Sequence, residues 1–209
     1  MNALSQTNFY GHDFFVNKDV LTPRPETEVI IDEVLRLCGK PILPGLKPEK
    51  PAITPKNLTI LDVGTGSGCI AISLKKELPE ADVYASDVSE KALKITQKNA
   101  ENLNVHITTI ISHLPEKVNI TPDIIVANLP YVDKDWRWLD RKSLESDPDI
   151  ALYADDHGLK LIKGLIKQAT SKYLILEADP IEHEEIIDYA KPKYKLIRKN
   201  GFVLVFIRL

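Results

Sequence analysis

The sequence predicts an α/β protein built on a doubly wound, mostly parallel sheet that ends in an antiparallel hairpin. From Leu58 onward, short apolar runs alternate with amphipathic stretches of helical length, the order expected when helices cross over between parallel strands. Near the carboxyl end, only Asn200 and Gly201 separate the runs KLIRK and FVLVFIRL, and Asn-Gly is typical of a two-residue hairpin turn. The last two strands are therefore expected to be antiparallel.

Length and composition are those of one globular domain. The chain has 209 residues, of which 44% are hydrophobic and 27% charged, enough to bury a sizeable core. It lacks the apolar run of about 18 residues that a membrane-spanning helix requires, and its amino-terminal residues do not form a secretory signal. We therefore expect a cytoplasmic protein with no membrane partner.

Charge and cysteine content argue against further classes. The net charge of −3, the isoelectric point near 6.0 and the lack of any Lys/Arg run longer than two disfavour a nucleic-acid partner. Cys38 and Cys69 lie far apart in the chain, with no CxxC or histidine pairing beside them. They are predicted to be buried thiols, and no metal site is expected.

The chain divides into three predicted segments. Residues 1–38 form an N-terminal arm and helix: residues 9–22 have the alternation of a short hairpin or extended arm, and a helix with a proline-set start then runs to Gly39. Residues 39–57 hold five of the fourteen prolines without apolar periodicity, which predicts a semi-rigid linker. Residues 58–209 form the α/β domain.

The α/β domain begins with runs predicted to be strand, helix, strand, helix, strand and strand. These runs are LTILDVG, CIAISLKKEL, ADVYASD, EKALKITQKNAENL, VHITTII and DIIVAN. Residues 129–156 follow without periodicity and contain Trp136 and Trp138; a long loop after the carboxyl end of a strand favours a lid. A helix near 157–170, the strand KYLILEA and a helix near 181–191 precede the final hairpin.

The segment ILDVGTGSGCIAI places a glycine-rich turn between the first strand and the first helix of the α/β domain. Gly64, Gly66 and Gly68 would let the backbone approach a ligand closely and present free helix N–H groups to it. Their Gly-x-Gly-x-Gly spacing differs from the fingerprint that cradles a dinucleotide pyrophosphate. Asp62 would repel a pyrophosphate but would suit an ammonium or sulfonium group.

A second acid, Asp87, narrows the range of ligands that the sequence predicts. Asp87 ends the next strand, where a doubly wound sheet usually places the acid that accepts hydrogen bonds from ribose hydroxyls. The predicted ligand is therefore an adenosine with a positive, amino-acid-like tail. Two structural alternatives stay open: the glycines can serve tight packing alone, and Asp87 or Ser89 can cap the following helix.

With these residues the chain resembles the S-adenosylmethionine-dependent methyltransferases, and more closely the HemK/PrmC-type protein glutamine N5-methyltransferases that modify peptide-chain release factors. The landmarks of the resemblance, which covers about residues 9 to 209, are VLTPRPETE, ILDVGTGSGCIAI, NLPY at 128–131 and DPDIALYADDHGL. The resemblance implies a Rossmann-like methyltransferase fold with seven strands, the last of them antiparallel. It also implies S-adenosylmethionine as cofactor and a release factor as protein substrate, which places the protein in translation termination.

The chemistry of amide methylation accounts for NLPY at the end of a buried strand. An amide nitrogen is a poor nucleophile, so a catalyst must orient it and stabilise the charge that develops during attack on a sulfonium methyl group. The side-chain oxygen of Asn128 and the backbone carbonyl of Leu129 can each accept an N–H, and Pro130 holds that carbonyl in an extended backbone. Tyr131 offers its ring face to the planar acceptor. These four residues are the predicted catalytic site.

The resemblance further implies a set of cofactor-binding residues and no metal ligand. The set consists of Thr27, Asp62, Gly64, Thr65, Gly66, Ser67, Gly68, Asp87, Val88, His113, Leu114 and Asn128.

The chain departs from the family pattern at several points. Leu129 replaces the first proline of Asn-Pro-Pro-Tyr, His113 stands where an acid is usual, and Asp147 stands where glutamate usually precedes the proline of the late motif. Only about eight residues precede the arm at Phe9, so the family's usual N-terminal helical domain, which docks the substrate, is not expected. The tryptophan-containing loop is a candidate replacement anchor.

Two alternatives to glutamine methylation remain at this stage. The same Asn-x-Pro-aromatic chemistry serves an exocyclic amino group of a flipped base in RNA or DNA, although the chain has no basic stripe. A cofactor-binding module without catalysis is the other alternative, motivated by the changes at Leu129 and His113. The sequence carries no indication of oligomeric state.

Overall fold

The structure, a computed structural model, describes residues 4–42, 48–133, 135–136 and 147–209 of the chain. The strands are β1 (Ser5–Phe9), β2 (His12–Val16), β3 (Thr59–Val63), β4 (Asp82–Asp87), β5 (Thr108–Ile111), β6 (Ile124–Ala127), β7 (Tyr173–Glu177), β8 (Tyr194–Asn200) and β9 (Val203–Arg208). The helices are α1 (Glu28–Leu37), α2 (Cys69–Glu77), α3 (Glu90–Asn102), α4 (Asp149–Leu152), α5 (Lys160–Gln168) and α6 (His183–Ala190).

Seven strands within the described ranges form one sheet in the order β5-β4-β3-β6-β7-β9-β8. The first five of these are mutually parallel, and β9 runs antiparallel to both β7 and β8. This confirms the predicted fold class. The chain moves outward from β3 to β5 and then returns to β6 on the other side of β3, so the winding reverses between β3 and β6. Ligands of such sheets bind at this reversal, outside the carboxyl ends of the strands.

Both faces of the sheet are covered, which explains why its central strands are largely apolar, with the buried acids Asp62 and Glu177 as exceptions. Ile60 and Val126 point into the core that contains α1 and α2, whereas their neighbours Leu61 and Ile125 point into the core that contains α5. Successive strand residues face opposite sides, so a strand buried on both sides loses polar alternation. In the described part of the chain, no helix combines the length and apolar character needed to cross a membrane.

The N-terminal arm is a hairpin that begins earlier than predicted. Strands β1 and β2 pair from Ser5 opposite Val16 to Phe9 opposite His12, and the turn residues Tyr10 and Gly11 have φ values of 49° and 75°. Positive φ at both central positions is the pattern of a type I′ turn. The hairpin then docks on α3 through Phe15, whose backbone N–H and C=O both bond the side chain of Asn99.

Helix α1 begins after a 3₁₀ turn at Pro25–Thr27 and ends just before Gly39, whose φ is 66°. The described part of the predicted linker folds back on it, because the N–H groups of Ala52 and Ile53 both donate to the carbonyl of Leu37. Residues 43–47 lie outside the described part. The division of the chain at residues 38 and 57 stays a prediction.

The final hairpin differs by one residue from the prediction. Asn200 belongs to β8 and pairs with Val203, so the two turn residues are Gly201 and Phe202 rather than Asn200 and Gly201. Gly201 has a φ of 57°. A single positive φ at the first central position suits a type II′ turn, which requires glycine there.

The predicted lid is described only in part. Residue 134 and residues 137–146, including Trp138, lie outside the described ranges. At the two ends of this loop, Val132 and Tyr153 form an isolated bridge, and the N–H of Trp136 donates to the carbonyl of Asp133 at 3.2 Å. The lid function therefore stays a prediction. Cys38 and Cys69 are both buried thiols, as predicted.

Candidate functional site

A cleft of about 280 Å³ opens at the carboxyl edge of the sheet where the winding reverses. Its volume is near the lower end of the range for small-molecule sites, ~300–1,000 Å³. The predicted site residues that line it are Thr27, Gly64, Thr65, Gly66, Ser67, Asp87, Val88, His113, Leu114, Asn128, Leu129 and Pro130. Asp62, Gly68 and Tyr131 lie outside this lining. Lining residues that sequence reasoning missed include Arg24, Cys69, Ser89, Ile150 and Leu161.

The three glycines of the turn have different reasons to be glycine. All three have positive φ, at 76°, 55° and 81° for Gly64, Gly66 and Gly68. A β-carbon on Gly64 would lie 2.8 Å from Leu129 and one on Gly68 would lie 2.8 Å from Thr96, so tight packing accounts for both. A β-carbon on Gly66 would meet no described atom within 4 Å. Gly66 therefore presents bare backbone to the cleft, as close approach of a ligand requires.

Asp62 lies behind the glycine turn and is completely buried. Its Oδ2 accepts hydrogen bonds from the hydroxyl of Thr65 at 2.6 Å and the N–H of Ala71 at 3.3 Å. Its Oδ1 is buried with no hydrogen-bond partner among the described residues. Burial raises the pKa of this carboxyl to about 7. Because Thr65 lines the cleft, it connects Asp62 to any cationic group bound there.

Asp87 ties the glycine turn to the start of α3. One carboxylate oxygen accepts from the N–H of Gly66 at 3.0 Å and the other from the N–H of Ser89 at 2.8 Å. The helix cap itself is Ser89, whose hydroxyl accepts from the N–H of Ala92. Each oxygen of Asp87 keeps lone pairs for a further donor, such as a ribose hydroxyl.

Asn128, at the end of β6, is held by a residue from the other end of the chain. Its Nδ2 donates to the hydroxyl of Thr27 at 3.0 Å, and Thr27 is itself buried. With the nitrogen engaged in this way, the Oδ1 of Asn128 is left to accept from a group in the cleft. Sequence reasoning placed Thr27 at the cleft but did not foresee this contact.

Tyr131 contacts a buried acid, Glu177, that was not identified from the sequence as part of the site. Its hydroxyl donates to Oε1 of Glu177 at 3.3 Å, and burial beside that carboxyl raises the pKa of Tyr131. Glu177 is the last residue of β7 and only 2% exposed. The available indication was a single acid ending an otherwise apolar strand, YLILE.

The late motif DPDIALYADDHGL supports the site from two sides. Asp147 accepts from the N–H of Thr22 at 2.9 Å and forms an ion pair with Arg24, which lines the cleft. Gly158 lies against the backbone of the predicted catalytic segment, because a β-carbon there would be 2.0 Å from the carbonyl oxygen of Tyr131. The glutamate-to-aspartate departure at Asp147 therefore keeps a carboxylate in this wall.

The adenine end of the predicted site rests on His113 and Leu114. His113 is exposed and lies 3.5 Å from Glu116 through Nδ1, whereas Leu114 is buried with a φ of 53°. The roles assigned to both in ligand binding stay predictions. Within the described ranges, no three histidine, cysteine or acidic side chains are grouped as a metal ion would require.

Among the residues that the structure describes, the sheet has seven strands, and its antiparallel strand β9 lies between β7 and the edge strand β8. A glycine turn lies where the winding of the sheet reverses. Together these features define a methyltransferase-type α/β fold. The family profile described as "Methyltransferase small domain" matches residues 49–138. The solved complex of Mtq2 and Trm112 from E. cuniculi, which methylates the termination factor eRF1, aligns with a TM-score of 0.58 at 19% identity over 91% of this chain and 99% of that chain. This similarity shows the fold.

Sequence similarity to curated proteins is higher. The release factor glutamine methyltransferase of Flavobacterium psychrophilum is 41% identical over 82% of this chain and 57% of its own length. The protein of the same name from Neisseria gonorrhoeae is 33% identical over 95% of this chain and 67% of its own length. The chain belongs to the family of release factor glutamine methyltransferases. It spans little more than half the length of the first of these relatives.

Proposed function

We propose that this protein transfers a methyl group from S-adenosylmethionine to the side-chain amide nitrogen of a glutamine in a protein, the Gly-Gly-Gln motif of a peptide-chain release factor. The observation that carries the proposal is the orientation of Asn128. Its nitrogen donates to Thr27, so its oxygen is available to a substrate N–H at the carboxyl edge of the sheet. The names of the two curated relatives support the choice of a release factor as substrate.

The residues of the cleft fit S-adenosylmethionine, which would supply a methyl group on a positively charged sulfur. Gly66 offers bare backbone, and Asp87 keeps acceptor capacity for ribose hydroxyls. The buried Oδ1 of Asp62 is the strongest indication, since among the described residues it lacks a donor. A buried polar atom without a partner is costly; Thr65 donates only to the other oxygen, Oδ2, so the ammonium of the amino-acid tail would offset part of that cost through its positive charge.

The acceptor end of the cleft supplies orientation. The glutamine amide would donate one N–H to Oδ1 of Asn128 and the other to the carbonyl of Leu129, which aims the nitrogen at the methyl group. As the nitrogen–carbon bond formed, the sulfur–methyl bond would break to leave a neutral thioether, and positive charge would develop on the nitrogen until one N–H proton passed to solvent. Two fixed acceptors stabilise that charge in the transition state more than in the ground state. Leu129 is buried against Gly64, which holds this segment in the absence of the first family proline.

The test is transfer of a labelled methyl group from S-adenosylmethionine to a purified release factor. The matched substrate control changes the glutamine of the Gly-Gly-Gln motif to alanine, and the enzyme control is Asn128→Ala. Label that enters the unmodified release factor alone, and is lost with Asn128→Ala, is the expected result. Label on neither factor would overturn the proposal, and label on RNA or DNA instead would establish base methylation.

A further inference from the structure

We propose that Glu177 is a positioning residue for methyl transfer, whose carboxylate turns the amide of Asn128 so that its oxygen faces the acceptor. This inference rests on the proposed function of the cleft. Glu177 is outside the cleft lining and is therefore argued to act through Asn128 and Tyr131 rather than on the substrate.

The sheet itself brings Glu177 beside the catalytic segment. Strands β6 and β7 are adjacent and parallel, and Ala127 is paired with Leu176. The next residues, Asn128 and Glu177, therefore follow as neighbours at the carboxyl edge. Strands in a sheet lie about 4.8 Å apart, and in-register neighbours of a parallel pair project to the same face. The side chains of Asn128 and Glu177 therefore lie in the same local environment.

The hydrogen-bonding capacity of a carboxylate gives the orientation its physical basis. An ionised carboxylate has acceptors only, so the groups around it must present donors. The phenol of Tyr131 donates to Oε1, and the nearby Thr27 hydroxyl and Asn128 amide stabilise the ionised form. Thr27 alone cannot orient Asn128, because a hydroxyl both donates and accepts. The carboxylate of Glu177 sets the orientation of the Asn128 amide, because it attracts the NH₂ group and repels the oxygen.

The surroundings of Glu177 do not suit a purely structural role. Across the described residues, no Lys, Arg or His forms an ion pair with it, and its buried Oε2 has no hydrogen-bond partner. A buried carboxylate in that state costs stability unless the cost serves function. The bond from Tyr131, at 3.3 Å, is also longer than the ~2.7 Å usual for O–H···O. Such contacts commonly tighten when substrate binds.

The ionisation of Glu177 makes the proposal testable by pH. Burial, together with the negative charge of Glu26, raises its pKa to about 7, while Thr27, Tyr131 and Asn128 lower it. Asp179 also lies near the same phenol. A protonated Glu177 can donate to Oδ1 of Asn128 and so reverse the amide. We therefore expect kcat, measured at saturating cofactor, to rise with pH through the neutral range.

The experiment compares Glu177→Gln with two matched variants. Glutamine keeps the shape of the Glu177 side chain but adds an NH₂ donor, which no longer favours the Asn128 orientation. We expect kcat to fall by about 10- to 100-fold, the size of loss that follows when a reacting group is misplaced. The neutral pH limb should disappear, and the Kd for S-adenosylmethionine should stay unchanged. Glu177→Asp should restore part of kcat together with the pH limb. Glu182→Gln, a change at another buried glutamate that lies against Gly158 and Asp179, should leave kcat unchanged.

A readout independent of turnover separates this inference from the proposed function. The side-chain NH₂ of Asn128, followed by NMR, should shift with pH near neutrality in the unmodified protein and lose that shift in Glu177→Gln. Wild-type kcat and an intact pH limb in Glu177→Gln would overturn the inference. An Asn128 signal that does not respond to Glu177 would also overturn the inference, and this holds even if no release factor is methylated. If Glu177→Gln fails to fold, the pH titration of the Asn128 signal in the unmodified protein still provides the test.

Discussion

Gly158 lies directly against the backbone carbonyl of Tyr131: a β-carbon built on Gly158 would be 2.0 Å from that oxygen. No side chain can occupy that distance, and the φ of 91° at Gly158 is itself unfavourable for any other residue. The turn that contains Gly158 thus packs directly against the predicted catalytic segment, 27 positions earlier in the chain, and supports it. The contact connects the late motif to NLPY.

Gly158→Ala should therefore displace Tyr131 and abolish most methyl transfer. The matched control is Gly201→Ala, also at positive φ, where a β-carbon would meet no described atom within 4 Å. The control should cost only the left-handed backbone penalty of about 1–2 kcal/mol and keep its activity. Thermal denaturation and methyl transfer measure the two effects. Equal behaviour of the two variants would mean that the contact with Tyr131 is unimportant.

Thr27→Val should reduce kcat more than it weakens cofactor binding, because valine keeps the volume but removes the acceptor for the Asn128 amide. A hydrogen bond contributes about 0.5–1.5 kcal/mol, which corresponds to a loss of roughly twofold to tenfold in kcat. Thr27→Ser retains the hydroxyl and should keep near-normal turnover. Steady-state kinetics with calorimetric cofactor Kd values check this. A serine variant as slow as the valine variant would implicate the methyl group instead.

The affinity for S-adenosylmethionine should increase as the pH rises from 6 to 8. The cationic tail favours the ionised form of Asp62, and the pKa of that carboxyl in the free protein is raised to about 7 by burial. Below that pKa, binding must first release a proton, so the Kd should fall by about tenfold across this interval. Asp62→Asn should bind weakly with a flat pH profile. Calorimetry at three pH values decides, and a pH-dependent Asp62→Asn variant would assign the effect to another group.

Glu182→Gln should stabilise the protein at alkaline pH and not at pH 5. Glu182 is 6% exposed, both of its carboxylate oxygens lack hydrogen-bond partners in the described part of the chain, and burial raises its pKa to about 8. A raised pKa means that the folded state binds the proton more tightly than the unfolded state. Its contribution to stability is therefore present below the unfolded pKa and is lost as pH rises through the folded value.

The measurement is the Tm of Glu182→Gln and of the unmodified protein at pH 5 and pH 8.5. The difference should be near zero at pH 5 and positive at pH 8.5, since the amide removes the buried charge. A lower Tm for the variant at pH 8.5 would show that the carboxylate has a stabilising partner in solution.

The architecture followed from the sequence because its causes are local. Alternating strand and helix patterns, the glycine turn after Asp62 and the Asn-Gly dipeptide near the carboxyl end each depend on residues close together in the chain. The turn was displaced by one residue because Asn200 can pair in a strand as well as turn, and the register of the sheet decides between them. The parts of the site on the glycine turn and after β6 could be located for the same reason.

What the sequence by itself determined was the fold, the place of the cleft and the residue types that meet there. The tertiary structure alone decided the contacts between distant segments: Thr27 with Asn128, Glu177 with Tyr131, and Arg24 with Asp147, which lie 101, 46 and 123 positions apart. The physical reason for the contact of Glu177 with Tyr131 is that the parallel strands β6 and β7 deliver their carboxyl ends to one edge whatever their separation in the chain, and the segments that hold Thr27, Arg24 and Asp147 pack against that same edge. Which side chains then touch depends on strand order and register, and those are properties of the whole sheet.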